Sequence, residues 1–265
     1  MRKILFAFTM IALFSAASSL FVISGGSELK LVREWITERK TGETITRLNT
    51  APILLYHDIG DRGLYSIPYD TLREHFELFR KKNIRVISLE ELARSIETGS
   101  SFEEKVIVIT FDDGYRSHHR KLIPLVREFG YPVTLFLYTD VINRGILSWN
   151  QVREIQEAGI DVQAHSVSHA DLTSFDIKEN PRRIFEELYI SKKLIELHLQ
   201  KPVDFFAYPY GRYNLQTVEY ARLAGYRRTF TTDYGPNIVT RDNFNIRRHH
   251  IKSSFDLDYI ENLIK

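Results

Sequence analysis

"VIVITFDDGYRSHH", residues 106–119, runs from an apolar stretch straight into two adjacent carboxylates, Asp112 and Asp113. A continuous run of this kind is the pattern of a strand buried on both faces, as in parallel sheets. Carboxylates at the end of such a strand are costly unless a positive partner sits against them. The stretch therefore predicts a parallel sheet and places a demand for positive charge at one strand end.

The flanking sequence repeats the theme. "PILLYH" ends in His57, and "VTLFLY", "IDVQAHS", "DFFAYP", "YRRTFTT" and "FNIRRHHI" read as further strands, with "IRVIS" as a short one. Helical segments alternate with them. "YDTLREHFELFRKKN" carries Leu72, Phe76 and Phe79 at helical spacing, with Asp70 as its N-cap. "SLEE" and "SWNQ" have capping-box form. Asn180 and Pro181 open a long helix to about Gln200, a helix runs from Asn214 to Ala224, and "SFDLDYIENLIK" closes the chain. Such strand–helix units make an open wound sheet or a closed barrel. About seven of them predict an α/β fold, a distorted (β/α) barrel with its active site at the C-terminal strand ends.

At 265 residues and 43% hydrophobic, the chain can bury a sizeable core. It has no cysteine, which excludes disulfides and thiolate metal sites. A net charge of +2 with acid and base interspersed leaves no footprint for nucleic acid. "MRK" followed by the uncharged residues 4–23 has the form of a secretory signal or an N-terminal membrane anchor. Residues 24–50 read as a linker with a short amphipathic helix, and residues 51–265 as the catalytic domain. The expected location is extracytoplasmic, with membrane contact only through the N-terminal segment.

Four strand ends carry polar groups toward one rim: His57, the Asp112–Asp113 pair, His165 with His169, and Tyr208 with Tyr210. "HSVSH" sets His165 and His169 four apart, so a tight loop can aim both rings at one point. With one aspartate they form a His–His–carboxylate set that leaves coordination positions open. The positive partner sought above is then a divalent metal: zinc first, with cobalt, nickel or iron also suited to these ligands. Such an ion polarises a bound carbonyl and activates water, and a neighbouring carboxylate that is not a ligand can take that water's proton.

"TFDDGY", "HSVSH" and "YPYG", in this order, resemble the first three motifs of the polysaccharide deacetylases, carbohydrate esterase family four. "PILLYHDIG" and "SWNQVREIQEAGIDVQAHSVSH" resemble the bacterial exopolysaccharide deacetylases that act on poly-N-acetylglucosamine. The resemblance implies Asp113, His165 and His169 as metal ligands and Asp112 as general base. It also implies the Tyr210 N–H as oxyanion donor and His57 as general acid, with an N-acetylated glycan as substrate. Two departures stand out. The arginine that opens the third motif is replaced by Ala207, for which Arg247 or Arg248 are candidate substitutes. The fourth motif is missing, which makes His249 and His250 rivals to His57.

Tyr115, Trp149 and Tyr208 are candidates for walling a sugar groove, and Asp140 is a further rim residue without an assigned task. His118 and His119 are expected to be solvated, and His75 and His198 structural. Two other readings are a barrel glycosidase and a catalytically silent glycan-binding module. The first fits adjacent aspartates poorly, because paired glycosidase carboxylates stand at least ~5 Å apart across the scissile bond.

Overall fold

The computed structural model describes residues 51–175, 181–233 and 244–264, all within one compact unit, Thr46–Lys265. The expectations for residues 1–50 and for the Asn180 cap lie outside the described residues. No helix among the described residues is long and apolar enough to cross a membrane.

Among the described residues, nine strands form one sheet: β1 (Ile53–Tyr56), β2 (Arg85–Val86), β3 (Val106–Asp113), β4 (Val133–Leu137), β5 (Ile160–Ala164), β6 (Phe205–Ala207), β7 (Arg228–Thr231), β8 (Asn245–Arg247) and β9 (His249–His250). Their order is β8-β7-β6-β5-β4-β3-β1-β9, with β2 paired to the start of β3, and every pairing is parallel. The two ends of that order, β8 and β9, are separated in sequence by Arg248 alone. The expected single strand "FNIRRHHI" is therefore interrupted, pairing first with β7 and then with β1. That interruption brings the sheet round into a nearly closed barrel.

Helices α1 (Tyr69–Lys81), α2 (Leu89–Thr98), α3 (Ile123–Phe129), α4 (Trp149–Glu157), α5 (Pro181–Leu199), α6 (Leu215–Leu223) and α7 (Leu257–Leu263) connect and follow the strands. Helix α1 is preceded by Pro68, so Asp70 lies in its first turn rather than at its cap; there it complements the helix dipole. Of the two boxed caps expected, the one at Ser148 forms in full, while at Ser88 only the Ser88 hydroxyl accepts from the Glu91 N–H (3.1 Å); Asn214 adds a full box that was not expected.

The alternation of β3 divides the core. Val106 and Val108 face the lumen with Ile53, Phe136, Phe205, Ala207, Phe230 and Ile246. Ile107, Ile109 and Phe111 pack outward in the larger cluster with the helices. Leu89, Leu92, Ala93 and Ile96 of α2 join the lumen cluster. Glu90 and Glu97 of α2 bond Arg227, just before β7, at 2.7 and 3.0 Å. Helix α2 thus covers the N-terminal mouth, leaving the opposite mouth for the site. The barrel is thinnest between β5 and β6, which share a single register pair. There the Gln163 side-chain oxygen accepts from the Asp204 and Phe205 N–H groups (3.0 and 2.9 Å), standing in for missing ladder bonds.

Candidate active site

The backbone turns sharply where β3 ends. Asp113 has φ +81° and Gly114 φ +94°, and a Cβ on Gly114 would lie 2.4 Å from Leu137 Cδ1. Only glycine fits there, and the turn re-aims the Asp113 carboxylate over the rim. Among the described residues, the non-glycine residues with positive φ are Asn83, Gln200, Asp113, Ser166, His169 and Tyr210. The first two end helices. The other four belong to the three rim motifs, where sustained backbone strain marks a functional site.

Asp113, His165 and His169 come together, each offering one ligand atom within 4.8 Å of the others. Asp113 Oδ1 lies 3.1 Å from His169 Nε2 and 3.5 Å from His165 Nε2. The hydrogen bond between His165 Nδ1 and the Ala207 carbonyl (2.7 Å) places a proton on Nδ1 and leaves a lone pair on Nε2 of the neutral ring. Asp113 Oδ1 is buried and accepts no hydrogen bond. A carboxylate oxygen facing imidazole lone pairs calls for a cation between them. Ligands ~2.05 Å from a tetrahedral ion lie about 3.3 Å apart, so the donor set fits a divalent metal. Burial works against charge at both groups, yet their mutual attraction holds the Asp113 carboxyl far below the carboxylate range and the His165 imidazole above its ordinary value.

Asp112 is buried on the lumen face beside them, and its positive partner is a different one. Arg248 Nη1 and Nη2 donate to Asp112 Oδ1 and Oδ2 at 2.7 and 2.6 Å, a bidentate fork with both residues about 2% exposed. Nη1 also reaches Thr110 Oγ1 (3.3 Å), and Nε reaches the Thr231 carbonyl (3.4 Å). Burial alone would raise the Asp112 pKa; the Arg248 and His165 charges outweigh it and hold the group below its ordinary value. The sequence expectation of a metal for the pair is thereby divided: a cation site for Asp113, a guanidinium for Asp112. Arg247 points the other way and is exposed. Strand alternation puts Ile246, Arg248 and His250 on the inner face, and Arg248 supplies the charge that Ala207 lacks.

His57 lies at the same mouth, its ring stacked on His250 (4.6 Å) and next to Tyr65 (5.5 Å). Its Nδ1 is buried without a partner. Burial lowers the His57 pKa, while Asp112 and Asp113 pull it up and Arg248 and His165 push it down. His250 is lowered by burial to about 3. His249 belongs to the outward side of the strand and is half-buried. His118, expected to be solvated, is fully buried, with Nε2 at 2.8 Å from the His57 carbonyl. It comes from a π-turn, His118–Leu122, that widens the entry to α3 and turns its ring inward. His119 pairs with Glu154 on the surface.

A residue that the sequence reading passed over holds the "HSVSH" loop. Glu187 of α5 is buried and accepts from the Val167 N–H (2.9 Å), the Ser168 N–H (2.8 Å) and the Ser168 hydroxyl (2.6 Å). The His169 N–H donates to Ser166 Oγ (3.0 Å). The signal was present: Glu187 lies on the stripe made by Ile184, Leu188 and Ile195, where an acid must have a reason. The Asp140 N–H donates to the Val167 carbonyl (2.9 Å), while its carboxylate takes Asn143 (2.7 Å).

Of the aromatic candidates, Tyr115 reaches the site; burial and the adjacent Asp113 carboxylate raise its phenol well above the usual range. Tyr208 does not. Alternation turns it away from the lumen that Ala207 faces, and it is fully buried between Phe206 and Tyr213. Trp149 does not either, being stacked on His198 in the helical layer at 4.0 Å. Tyr210 is 59% exposed, with its ring edge-on to His169 at 4.7 Å. The turn that carries it needs Gly211 (φ +69°), where a Cβ would lie 2.0 Å from Thr232 Oγ1.

Comparison with known proteins agrees with this geometry. The family model described as polysaccharide deacetylase matches residues 99–229. YxkH of Bacillus subtilis (strain 168) is 26% identical over 204 residues, covering 77% of this chain and 71% of YxkH. The poly-beta-1,6-N-acetyl-D-glucosamine N-deacetylase of Staphylococcus epidermidis is 24% identical over 223 residues, covering 76% of this chain and 72% of that one. For the Escherichia coli (strain K12) enzyme of the same name, identity is 22% over 218 residues, and the match spans 67% of this chain but 32% of that protein. Among solved structures, Streptococcus pyogenes deacetylase PplD has a TM-score of 0.73 at 22% identity, covering 81% of this chain and 98% of PplD. IcaB from Ammonifex degensii has a TM-score of 0.69 at 22% identity, covering 83% of this chain and 98% of IcaB; both likenesses concern the fold. With the three motifs meeting at one barrel mouth and the family model spanning them, residues 99–229 carry a polysaccharide deacetylase domain, of a family of hydrolases that cleave an amide bond.

Proposed function

We propose that the protein is a metal-dependent N-deacetylase that releases acetate from N-acetylglucosamine units of an extracytoplasmic polysaccharide, a poly-N-acetylglucosamine-like polymer first among them. The observation that carries this reading is Asp113 Oδ1, buried without a hydrogen bond and flanked by two imidazole nitrogens, beside a second carboxylate locked to Arg248. Asp113, His165 and His169 would hold the ion, zinc first. When bound, a divalent ion supplies Lewis-acid polarisation and charge compensation at the acetyl group.

The chain's own groups do the rest. Asp112, ionised and fixed by the Arg248 fork, accepts a proton from the attacking water as its oxygen bonds the acetyl carbon. The Tyr210 N–H donates to the developing oxyanion; the Gly211 and Arg212 N–H groups already serve the turn itself. His57 gives its proton to the sugar nitrogen as the carbon–nitrogen bond breaks, acting through Nε2 because Nδ1 is buried. Acetate and a free amine leave. A glycosidase reading loses ground because Asp112 and Asp113 are adjacent and one is held by a guanidinium. The "MRK" start and the apolar residues 4–23 support action outside the cytoplasm.

The deciding experiment strips the protein with a chelator, reloads it with zinc, cobalt, nickel or iron, and measures acetate release. The substrates are poly-β-1,6-N-acetylglucosamine, peptidoglycan and chitin oligomers. Activity abolished by stripping and restored by one ion is expected. No acetate from any substrate with any ion would overturn the proposal.

A further inference from the structure

His57 stands just past the sheet that carries it. The last register pair of β1 with β3 is Tyr56–Phe111, and on the other side the Ile251 N–H closes on the Leu55 carbonyl (2.9 Å). The His57 Nδ1 is buried without a partner, so no hydrogen bond there fixes the ring from behind. A histidine that gives up protons is ordinarily held through that nitrogen. Here its aim falls to the stacked His250 ring and to the backbone.

The backbone is held from the π-turn after β3 and its entry. Ser117, His118 and Lys121 take three consecutive residues. His118 Nε2 meets the His57 carbonyl (2.8 Å). Ser117 Oγ donates to Asp58 Oδ1 (2.7 Å) and accepts from the Ile59 N–H (3.2 Å), and Lys121 Nζ donates to the Ile59 carbonyl (3.0 Å). Of the three, His118 is the costly one. Its ring is fully buried, edge-on to Phe111 (5.4 Å) and Tyr115 (5.7 Å), and its Nδ1 has no partner. A carbonyl only accepts, so the proton sits on Nε2 and the Nδ1 lone pair stays dry. A dry polar atom costs ~1–3 kcal/mol, and a phenylalanine would fill the same slot without it. What a phenylalanine lacks is the N–H aimed at His57. π-turns gather at functional sites, and this one points His118 inward.

Resting on the deacetylase reading above, we propose that His118 is a positioning residue for His57. Its Nε2–H fixes the His57 carbonyl and, through it, the place of the His57 ring beside the sugar nitrogen. It touches no substrate and carries no proton to one. The signature is therefore a loss in the chemical step and not in binding. Misplacing a reacting group by ~1 Å can cost up to ~100-fold. The Ser117 and Lys121 bonds and the His250 stack survive in a His118 variant, so a smaller loss, about tenfold, is expected.

The test measures kcat and KM for acetate release from a β-1,6-linked N-acetylglucosamine oligomer, with every protein metal-loaded. His118→Phe should lose about tenfold in kcat with KM within about twofold of wild type. His118→Gln, which keeps a side-chain N–H, should recover about threefold or more of that loss. Added to His57→Ala, His118→Phe should change kcat by less than about twofold, because the residue it positions is gone. A merely structural role predicts the same loss in both backgrounds. That result, a His118→Phe protein with wild-type kcat, or a His118→Gln protein as slow as His118→Phe overturns the assignment. Nitrogen NMR spectra of the imidazole rings in the apo-protein need no turnover. His118 should be the neutral Nε2–H tautomer, and His118→Phe should broaden the His57 signals. If even wild type releases no acetate, the deacetylase reading fails by itself and the spectra decide the contact. A His118 protonated on Nδ1 alone, or His57 signals as sharp in His118→Phe as in wild type, refutes it.

Discussion

The Arg248–Asp112 pair is the most exposed point of this account. Consider Arg248→Met, which keeps most of the side-chain volume and removes the guanidinium. Both partners are about 2% exposed and joined by two bonds of 2.6 and 2.7 Å. Breaking a buried pair from one side leaves an uncompensated charge and costs ~3–5 kcal/mol. The cost should also depend on pH in a defined direction. In the wild type the Asp112 pKa is depressed, so its contribution is complete above the unfolded carboxyl value and lost as pH falls through the folded one. Without Arg248, burial dominates and the pKa rises above the unfolded value; the deficit is then largest near neutrality and shrinks as pH falls and the carboxyl protonates. Urea unfolding of apo-protein at pH 7 and pH 5 measures both. A double variant with Asp112→Asn should recover much of the loss, giving a coupling of roughly 2 kcal/mol or more in a double-mutant cycle. Metal-loaded Arg248→Met should lose about 100-fold in kcat, the scale of a positioned general base. Arg248→Lys should fall between, since an ammonium cannot reproduce the fork. A destabilisation under about 1 kcal/mol with kcat within twofold of wild type would refute the assignment of Arg248 as the residue that positions Asp112.

Three further outcomes are expected. Glu187→Ala should weaken zinc binding by about 10–100-fold in a chelator competition, because the loop carrying His169 loses its acceptor; unchanged affinity would show that the loop holds itself. His57→Ala should lose about 100-fold or more in kcat and His250→Ala far less. Because an acid must be protonated and burial lowers the His57 pKa, wild-type kcat should fall as pH rises, with a midpoint at or below the ordinary imidazole value. A His57→Ala protein with the wild-type pH profile would move the role elsewhere. His75, buried against the Tyr56 hydroxyl (3.0 Å), is lowered to about 4. Its stabilisation is complete above the unfolded pKa near 6.5 and drains away down to about pH 4. Lowering pH from 6.5 to 5 should cost ~2 kcal/mol, a slope that His75→Gln should lack.

Much of the site was legible because strand ends are legible. A buried parallel strand must read as an apolar run, so the first polar residues after it, Asp112 and Asp113 after Phe111 or His165 after Ala164, are at the rim by construction. The choice between the two carboxylates and the choice between Arg247 and Arg248 were not. Each depends on which face a residue takes, and that is set by register across strands more than a hundred residues apart. His118 misled for a similar reason: a π-turn rotates it inward, and nothing in "RSHH" announces the turn. Tyr208 and Trp149 were read as groove residues from their position beside motifs. Alternation and the His198 ring take them out of it.

By itself, the sequence determined the local rules: apolar strands, boxed helix caps, glycines at turns no Cβ can enter, and three polar motifs at strand ends. Those are short-range, set by a residue's own stereochemistry and its neighbours within a turn or two. Only the tertiary structure decided that a strand broken at Arg248 closes the barrel and drives a guanidinium onto Asp112. It alone left Asp113 facing two imidazoles. The physical reason is that charge pairing in a low-dielectric lumen depends on ångström distances between remote segments, and no local preference encodes those.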